Sequence, residues 1–168
     1  MGIFTPFVYA IPPHPADKTI ILMTTHIYKT ALVPYLLHDM YMLVSQIEDY
    51  PQFLPWCKAT QILSTQGTEV HASITMGRVG LDKTFTTRNI LIPDKSIEMN
   101  LVEGPFSHLY GKWLFDPLGN EGCKITLDMR FEISNPLLRI SLKPVFTKIV
   151  DTLMDSFIQQ AHERFNTV

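Results

Sequence analysis

The sequence predicts an α+β fold in which a curved antiparallel sheet wraps around one long C-terminal helix. Between residues 70 and 133, apolar and polar side chains alternate with a period of two, which indicates half-buried antiparallel strands. From Pro144 to Phe165, apolar residues recur at steps of three and four, which indicates a helix with one broad apolar face. A sheet and a helix that are each apolar on one side bury both surfaces by packing together.

Composition limits the chain to one domain, or one domain with a tail. It has 168 residues, of which 46% are hydrophobic, and this is enough for a sizeable core. The net charge of −2 gives no argument for a nucleic-acid partner, and we expect no binding to DNA. The two cysteines, Cys57 and Cys123, fit neither a metal-binding spacing nor a disulfide framework. A reducing cytosol is the simplest setting for such a chain.

Residues 1–22 are predicted to be an N-terminal extension without regular structure, and residues 23–168 to form the domain. The extension is too short to span a membrane and lacks the basic start of a signal peptide. The alternative, which its aromatic residues suggest, is a tail that contacts a membrane. Regular structure is interrupted by four prolines, Pro6, Pro12, Pro13 and Pro15.

The first part of the domain combines one strand with short helices. Thr25 to Val33 is predicted to be a strand that ends at Pro34. Residues 36–46 have helical spacing, and two prolines four residues apart then bracket at most one helical turn. The predicted inner face of the first helix consists of Leu37, Met40, Tyr41 and Val44.

About six further strands and the long helix follow. The clearest alternation runs from Cys123 to Ile133. Glycine, proline, asparagine and aspartate cluster between the strands, so successive strands are expected to form a meander of neighbours. The last helix is predicted to begin at Pro144, because proline suits the first helical turn.

A set of short motifs resembles the START-like, or helix-grip, superfamily. The resemblance covers about Thr24 to Phe165 and is strongest to the coenzyme-Q-binding branch, which includes the oligoketide cyclase-like RatA proteins. The chain departs from the pattern at Leu36, Leu37 and Met42, where polar residues are usual. The motifs are Val33-Pro34-Tyr35, Asp49-Tyr50-Pro51, Phe53-Leu54-Pro55-Trp56-Cys57, Phe85-Thr86-Thr87-Arg88-Asn89, Gly104-Pro105-Phe106, Leu109-x-Gly111-x-Trp113-x-Phe115 and Cys123-Lys124.

The resemblance implies a helix-grip fold and a non-enzymatic lipid-binding protein. The ligand it implies is ubiquinone (coenzyme Q), or a similar isoprenoid lipid, held in an apolar cavity in support of respiration. The alternative that it implies is a ribosome association toxin, which binds the large ribosomal subunit and blocks subunit association. Either protein is expected in the cytoplasm, and the lipid-binding one also peripherally at the inner membrane.

The residues expected to point between sheet and helix form the predicted ligand-binding set. The alternative is an ordinary filled core, because apolar stripes mostly belong to cores. Thr87 and Asn89 are polar residues on the inward side, where they could meet the carbonyl groups of a quinone, or bond each other, the backbone or water. The set is Ile74, Phe85, Thr87, Asn89, Met99, Leu101, Trp113, Phe115, Met129, Phe146, Val150, Leu153 and Phe157.

A second set of apolar residues is predicted to form a lid over the cavity or a surface that contacts a membrane or partner. A packed plug is the alternative for its aromatic members. The outward residues Tyr110, Lys112, Lys124 and Arg130 suggest a mildly basic face for RNA, which neighbouring acidic residues dilute. The lid set is Leu36, Leu37, Met42, Tyr50, Phe53, Leu54, Pro55 and Trp56.

We find no constellation of catalytic or metal-ligating residues in the sequence. The six histidines are scattered, and neither a glycine-rich phosphate loop nor a nucleophile elbow is present. No catalytic cofactor or metal is therefore expected. A cyclase-type enzyme is the third hypothesis, and it lacks the acid–base residues that it would need.

Overall fold

A seven-stranded sheet and one long helix account for most of the chain. The structure is a computed structural model that describes residues 24–78 and 81–166, so the predicted extension, residues 1–22, lies outside the described residues. A 3-10 turn at Ile47–Asp49 separates the two short helices. The elements are β1 (Thr25–Val33), α1 (Leu37–Ser45), α2 (Tyr50–Phe53), β2 (Cys57–Gln66), β3 (Glu69–Arg78), β4 (Leu81–Ile92), β5 (Ser96–Glu103), β6 (Phe106–Leu118), β7 (Gly122–Ile133) and α3 (Pro136–Phe165).

The sheet is an antiparallel meander with the first strand added at its far edge. Its order is β1-β7-β6-β5-β4-β3-β2, so each strand from β2 to β7 lies beside its neighbour in sequence. Val33 pairs with Cys123 at one end of the β1–β7 ladder, and Thr25 pairs with Phe131 at the other. Helix α3 packs against the inner face of this curved sheet. The predicted α+β helix-grip architecture is confirmed.

Helix α3 begins eight residues before the predicted position. Asn135 caps it, because its side-chain Oδ1 accepts hydrogen bonds from the backbone N–H groups of Leu137 at 2.8 Å and Leu138 at 3.4 Å. Pro136 occupies the first turn, and Pro144, predicted to start the helix, lies inside it. Pro144 has no N–H group, so one backbone hydrogen bond of the helix is missing there. The prediction was wrong because Leu142 and Phe146, which lie two residues before and after Pro144, are both buried, and their packing keeps the helix continuous.

Replacing Asn135 with alanine is expected to lower the free energy of unfolding by about 1 kcal/mol, because the first N–H groups of α3 lose their acceptor. Urea denaturation followed by circular dichroism measures this loss. Ser134→Ala is the matched control, since Ser134 is exposed and lies before the helix. Equal midpoints for Asn135→Ala and the wild type would contradict a stabilising cap.

Four phenylalanines form the centre of the core at the end of the sheet nearest the start of α3. The ring centroid of Phe146 lies 4.6 Å from that of Phe131 and 4.8 Å from that of Phe106. Phe85 completes the group at 6.1 Å, in an edge-on arrangement with Phe146. Edge-on rings attract each other beyond the effect of area burial alone. This cluster closes one end of the space between sheet and helix.

Candidate ligand-binding site

An internal cavity of about 50 Å³ lies between the sheet and the middle of α3. Its walls are almost entirely apolar, and Tyr50 is the single ionisable residue among those that line it. Burial raises the pKa of the Tyr50 phenol, and its O–H donates to the backbone carbonyl of Val44, so this group is neutral and already engaged. The lining residues are Tyr50, Trp56, Ile74, Phe85, Thr87, Met99, Leu109, Trp113, Met129, Phe146, Ile149, Val150, Leu153 and Phe157.

Ten of the thirteen residues predicted to bind a ligand line this cavity. Leu109 and Ile149 also line the cavity and were not in the predicted set. Leu109 lies on the inward side of β6, and Ile149 belongs to the apolar face of α3. The structure thus brings most of the predicted set together around one space, and its role in binding stays a prediction. The ten are Ile74, Phe85, Thr87, Met99, Trp113, Met129, Phe146, Val150, Leu153 and Phe157.

Leu101 and Phe115 do not reach the cavity. Phe115 is buried, but its ring packs edge-on against Tyr41 of α1, with centroids 5.6 Å apart, and so belongs to the core beneath that helix. Leu101 pairs with Thr87 next to a register shift between β4 and β5 and is only half-buried against the core. Both side chains lie on the inner side of the sheet, as predicted. The alternation of residues along a strand does not tell how far along the sheet a cavity extends.

Asn89 lies beside the cavity and keeps one hydrogen-bond donor unused. It is 1% exposed and lines a void of about 20 Å³ whose walls share Thr87, Tyr50 and Trp113 with the larger cavity. The Thr87 hydroxyl donates to Asn89 Oδ1 at 3.0 Å, whereas Asn89 Nδ2 has no partner in the protein. A void of this size has room for about one water molecule. The amide is therefore placed to donate to water or to a ligand oxygen.

Helix α2 and the turn that follows it form part of the cavity wall and of the core. Tyr50 and Leu54 are 8% and 1% exposed, so in this structure they are wall and core residues and not a contact surface. Phe53 packs on Phe157, with ring centroids 5.4 Å apart. Pro55 is exposed. The packed-plug alternative therefore describes Tyr50 and Leu54 in this structure, and a lid or contact role for the set stays a prediction.

An outer groove of about 330 Å³ runs along the other side of the same wall. Trp56 and Ile149 line both the groove and the cavity. The indole N–H of Trp56 is buried and has no hydrogen-bond partner. The groove is lined by Pro55, Trp56, Met76, Gly77, Leu142, Val145, Lys148, Ile149 and Thr152.

Two methionine side chains fill the space above Gly111. A Cβ atom added at Gly111 would lie 2.4 Å from the Met99 Cε and 2.9 Å from the Met129 Cε. Both methionines line the cavity. The room that glycine leaves on the sheet is thus occupied by the ends of two flexible side chains.

The family model described as polyketide cyclase / dehydrase and lipid transport matches residues 33–158. The matched span runs from the end of β1 to the last third of α3 and includes every residue of the cavity wall. The chain belongs to this START-like family.

Two curated relatives within the START-like family carry different names. The "Ribosome association toxin RatA" of Pseudomonas aeruginosa is 44% identical over 143 residues, which are 85% of this chain and 99% of the relative. The mitochondrial "Coenzyme Q-binding protein COQ10" of Drosophila melanogaster is 26% identical over 140 residues, which are 81% of this chain and 58% of the relative. The chain therefore spans nearly the whole of the bacterial relative and somewhat more than half of the mitochondrial one.

Solved structures agree on the START-like fold. A START superfamily protein from Mycobacterium smegmatis superposes with a TM-score of 0.69 at 19% identity, covering 82% of this chain and 97% of the other. The Zhui aromatase/cyclase from a Streptomyces species superposes with a TM-score of 0.74 at 17% identity, covering 86% and 98%. At these identities the likeness concerns the fold alone.

The outer face of the sheet is nearly balanced in charge. Arg130 lies 3.5 Å from Asp128, and Lys112 lies 3.7 Å from Glu98. Hydrogen bonds from Arg88 and His71 lower the pKa of Glu69 to about 2, so this carboxylate is charged at neutral pH. Because these cations have carboxylates beside them, this face does not form the basic patch that RNA binding usually requires.

The first helix exposes less apolar surface than predicted. Leu36 precedes α1 without a side-chain cap and is 52% exposed. Leu37 and Met42 are half-buried and pack against the core, which removes most of their area from solvent. None of the helices in the described part of the chain contains an apolar stretch of the length needed to span a bilayer.

Nucleophiles and metal ligands are scarce around the site. Burial raises the pKa of Cys57 and of Cys123 to about 11, so both thiols are protonated and poorly nucleophilic at neutral pH. Across residues 24–78 and 81–166, no group of three or more histidine, cysteine, aspartate or glutamate residues could hold a metal ion. What the cavity offers chemically is apolar contact and one amide donor at its side.

Proposed function

We propose that this protein is a non-enzymatic lipid-binding protein whose ligand is ubiquinone, or a similar isoprenoid lipid, and that it supports respiration. The observation that carries the proposal is an apolar cavity beside a buried amide donor without a partner, Asn89 Nδ2. A quinone ring carries carbonyl oxygens that accept hydrogen bonds, and its isoprenoid tail is apolar. The name of the mitochondrial relative supports the same ligand class.

The polar contact decides how the ring is oriented, and apolar contact supplies the affinity. Each methylene group transferred from water into apolar surroundings contributes about 0.8 kcal/mol. A buried donor without an acceptor costs about 1–3 kcal/mol, which a ligand carbonyl beside Asn89 relieves. An ionised head group would find no cation on the cavity wall, so neutral lipids are favoured over fatty acids.

The first test is mass spectrometry of organic extracts from the purified protein, followed by binding of added ubiquinone with one isoprene unit. Asn89→Leu removes the amide and keeps the branching of the side chain, and we expect it to weaken quinone binding about tenfold, because the ring loses its hydrogen bond. The substitution removes an unpartnered buried amide but also the acceptor of the Thr87 hydroxyl, so an unfolding curve of Asn89→Leu accompanies the binding measurement.

Asn100→Leu is the matched control, because Asn100 is half-exposed on the outer face of the same sheet. It should bind quinone like the wild type. A wild-type protein that carries no lipid when purified, and binds no added quinone, would contradict the proposal. Equal quinone binding by Asn89→Leu and the wild type would show that the Asn89 amide does not contact the ligand.

Association with the large ribosomal subunit is the second candidate function. It is favoured by the 44% identity to a ribosome association toxin over 99% of that relative. Sedimentation of the purified protein with isolated large subunits tests it, with free small subunits as the control. Both functions place the protein in the cytoplasm, and the first also brings it to the inner membrane, where its ligand resides.

A further inference from the structure

The cavity and the outer groove are separated by two side chains. Trp56 and Ile149 are the residues that line both spaces. The cavity alone, at about 50 Å³, is far smaller than typical ligand pockets of roughly 300–1,000 Å³. The groove adds about 330 Å³, so the two spaces joined reach that range. A lipid ring with a tail therefore needs both.

The backbone around Trp56 is held by hydrogen bonds, while its side chain is held by packing against the core alone. The Gly77 N–H donates to the Trp56 carbonyl at 3.0 Å, and the Cys57 N–H donates to the Leu54 carbonyl at 2.9 Å. Leu54 and Cys57 are 1% and 5% exposed and anchor both sides of the turn. The Trp56 indole N–H, by contrast, has no partner, so no hydrogen bond resists rotation of the ring.

Ile149 forms the fixed side of this passage. It lies in the middle of α3 and is 7% exposed. A β-branched side chain in a helix has one strongly preferred χ1 rotamer, so Ile149 has little freedom to move aside. The wall between cavity and groove therefore opens by rotation of the Trp56 side chain about its two torsion angles.

We propose that the outer groove is the entry and tail-binding site of the lipid, and that Trp56 is the gate between groove and cavity. This rests on the proposed lipid-binding function. The ring passes Trp56 to reach Asn89, and the tail then lies between Trp56 and Ile149 and along the groove. Pro55, Met76, Leu142 and Val145 supply apolar walls for it, and Lys148 and Thr152 mark the solvent side.

The walls of the groove suit an apolar chain that enters from one side. Leu142 is 1% exposed and Val145 is half-buried, so the floor of the groove is formed by the N-terminal half of α3. Lys148 is exposed at the edge, where its ammonium group stays in water while its methylene stem covers apolar surface. The groove thus offers a tail apolar walls along its floor, with the Lys148 ammonium group at its solvent edge.

The test is stopped-flow fluorescence of ubiquinone binding, with one and with two isoprene units. Trp113 remains as the reporter in Trp56→Ala, which removes the gate, and we expect association and dissociation both about tenfold faster. Trp56→Phe keeps most of the bulk, so its rates should lie between those of the wild type and Trp56→Ala. If Trp56→Ala does not fold, Trp56→Phe still tests the gate, because it keeps an aromatic ring at this position.

Val145→Trp is designed to block the groove without touching the cavity. It should slow association about tenfold and weaken the two-isoprene ligand more than the one-isoprene ligand. Val102→Trp is its matched control, since Val102 is 51% exposed on β5 and lines neither space. It should leave both rates unchanged.

The outcomes separate the two proposals. If the wild type binds quinone but Trp56→Ala and Val145→Trp bind it at wild-type rates, the gate is wrong and the lipid-binding function stands. If the wild type binds neither ligand, both proposals are overturned. Faster exchange in Trp56→Ala together with slower entry in Val145→Trp supports the gate and the groove.

Discussion

Replacing Phe146 with alanine is expected to lower the free energy of unfolding by about 3–5 kcal/mol. The Phe146 ring is 3% exposed and lies within 6.1 Å, centroid to centroid, of three other phenylalanine rings. Its removal leaves a hole that the remaining rigid rings cannot fill, so the transfer and cavity costs add. Urea denaturation followed by tryptophan fluorescence measures the loss.

Phe165→Ala is the control for this prediction. It makes the same change at the other end of α3, where the ring is 39% exposed and contacts Tyr35 at a centroid distance of 6.0 Å. Its effect should be no more than about 1 kcal/mol. Equal losses for the two variants would mean that the phenylalanine cluster is not the centre of the core.

Val150→Trp is expected to abolish retention of lipid while the protein stays folded. Val150 is 1% exposed on α3 and lines the cavity, so a larger side chain there occupies the space of the ligand ring. Overpacking should cost roughly 1–3 kcal/mol of stability, which the flexible methionines of the wall reduce. The measurement is ubiquinone retained per mole of purified protein, with unfolding curves for each variant.

Ser141→Trp adds the same side chain to the exposed face of α3 and should retain as much lipid as the wild type. A folded Val150→Trp protein that retains the wild-type amount of lipid would remove the internal cavity as the binding site. Ribosome association would then become the leading function, since it does not depend on the cavity.

The order of elements could be predicted because most strands have one wet and one dry face. β7 alternates almost perfectly, and its inward residues are buried as predicted. β2 was not identified from its own pattern because it is an edge strand with few buried residues, so its sequence shows little alternation. The expected number of about six further strands is nevertheless correct, because β2 to β7 are six.

The start of α3 was misplaced because the prediction relied on the preference of proline for a first turn and applied it to Pro144. The structure shows that Asn135 caps the helix and that Pro136 occupies its first turn. The segment before Pro144 is helical and packs on the core through the buried Leu142, which the spacing of apolar residues after Pro144 did not indicate.

The sequence predicted which side chains face the space between sheet and helix, but not how they pack there. Strand alternation and the helical spacing of apolar residues indicated which side chains face inward, and ten of the predicted residues, six on strands and four on α3, line the cavity. These patterns could not place the Trp56 side chain, which lies in a turn and folds back according to the packing around it. Nor could they show that the Thr87 hydroxyl uses the Asn89 carbonyl and leaves the amide N–H free, because that depends on side-chain geometry.

The methionine ends above Gly111 make one wall of the cavity compliant. Leucine or isoleucine there would fix the shape of the space, whereas an unbranched thioether changes shape by rotating single bonds at low energetic cost. Met99 and Met129 can thus make room for a guest while the strands that carry them stay in place. For the ligand proposed above, shape would then discriminate weakly among rings that carry different substituents, and the Asn89 amide would discriminate strongly by its need for a hydrogen-bond acceptor. The proposed site would be permissive in size and selective in chemistry.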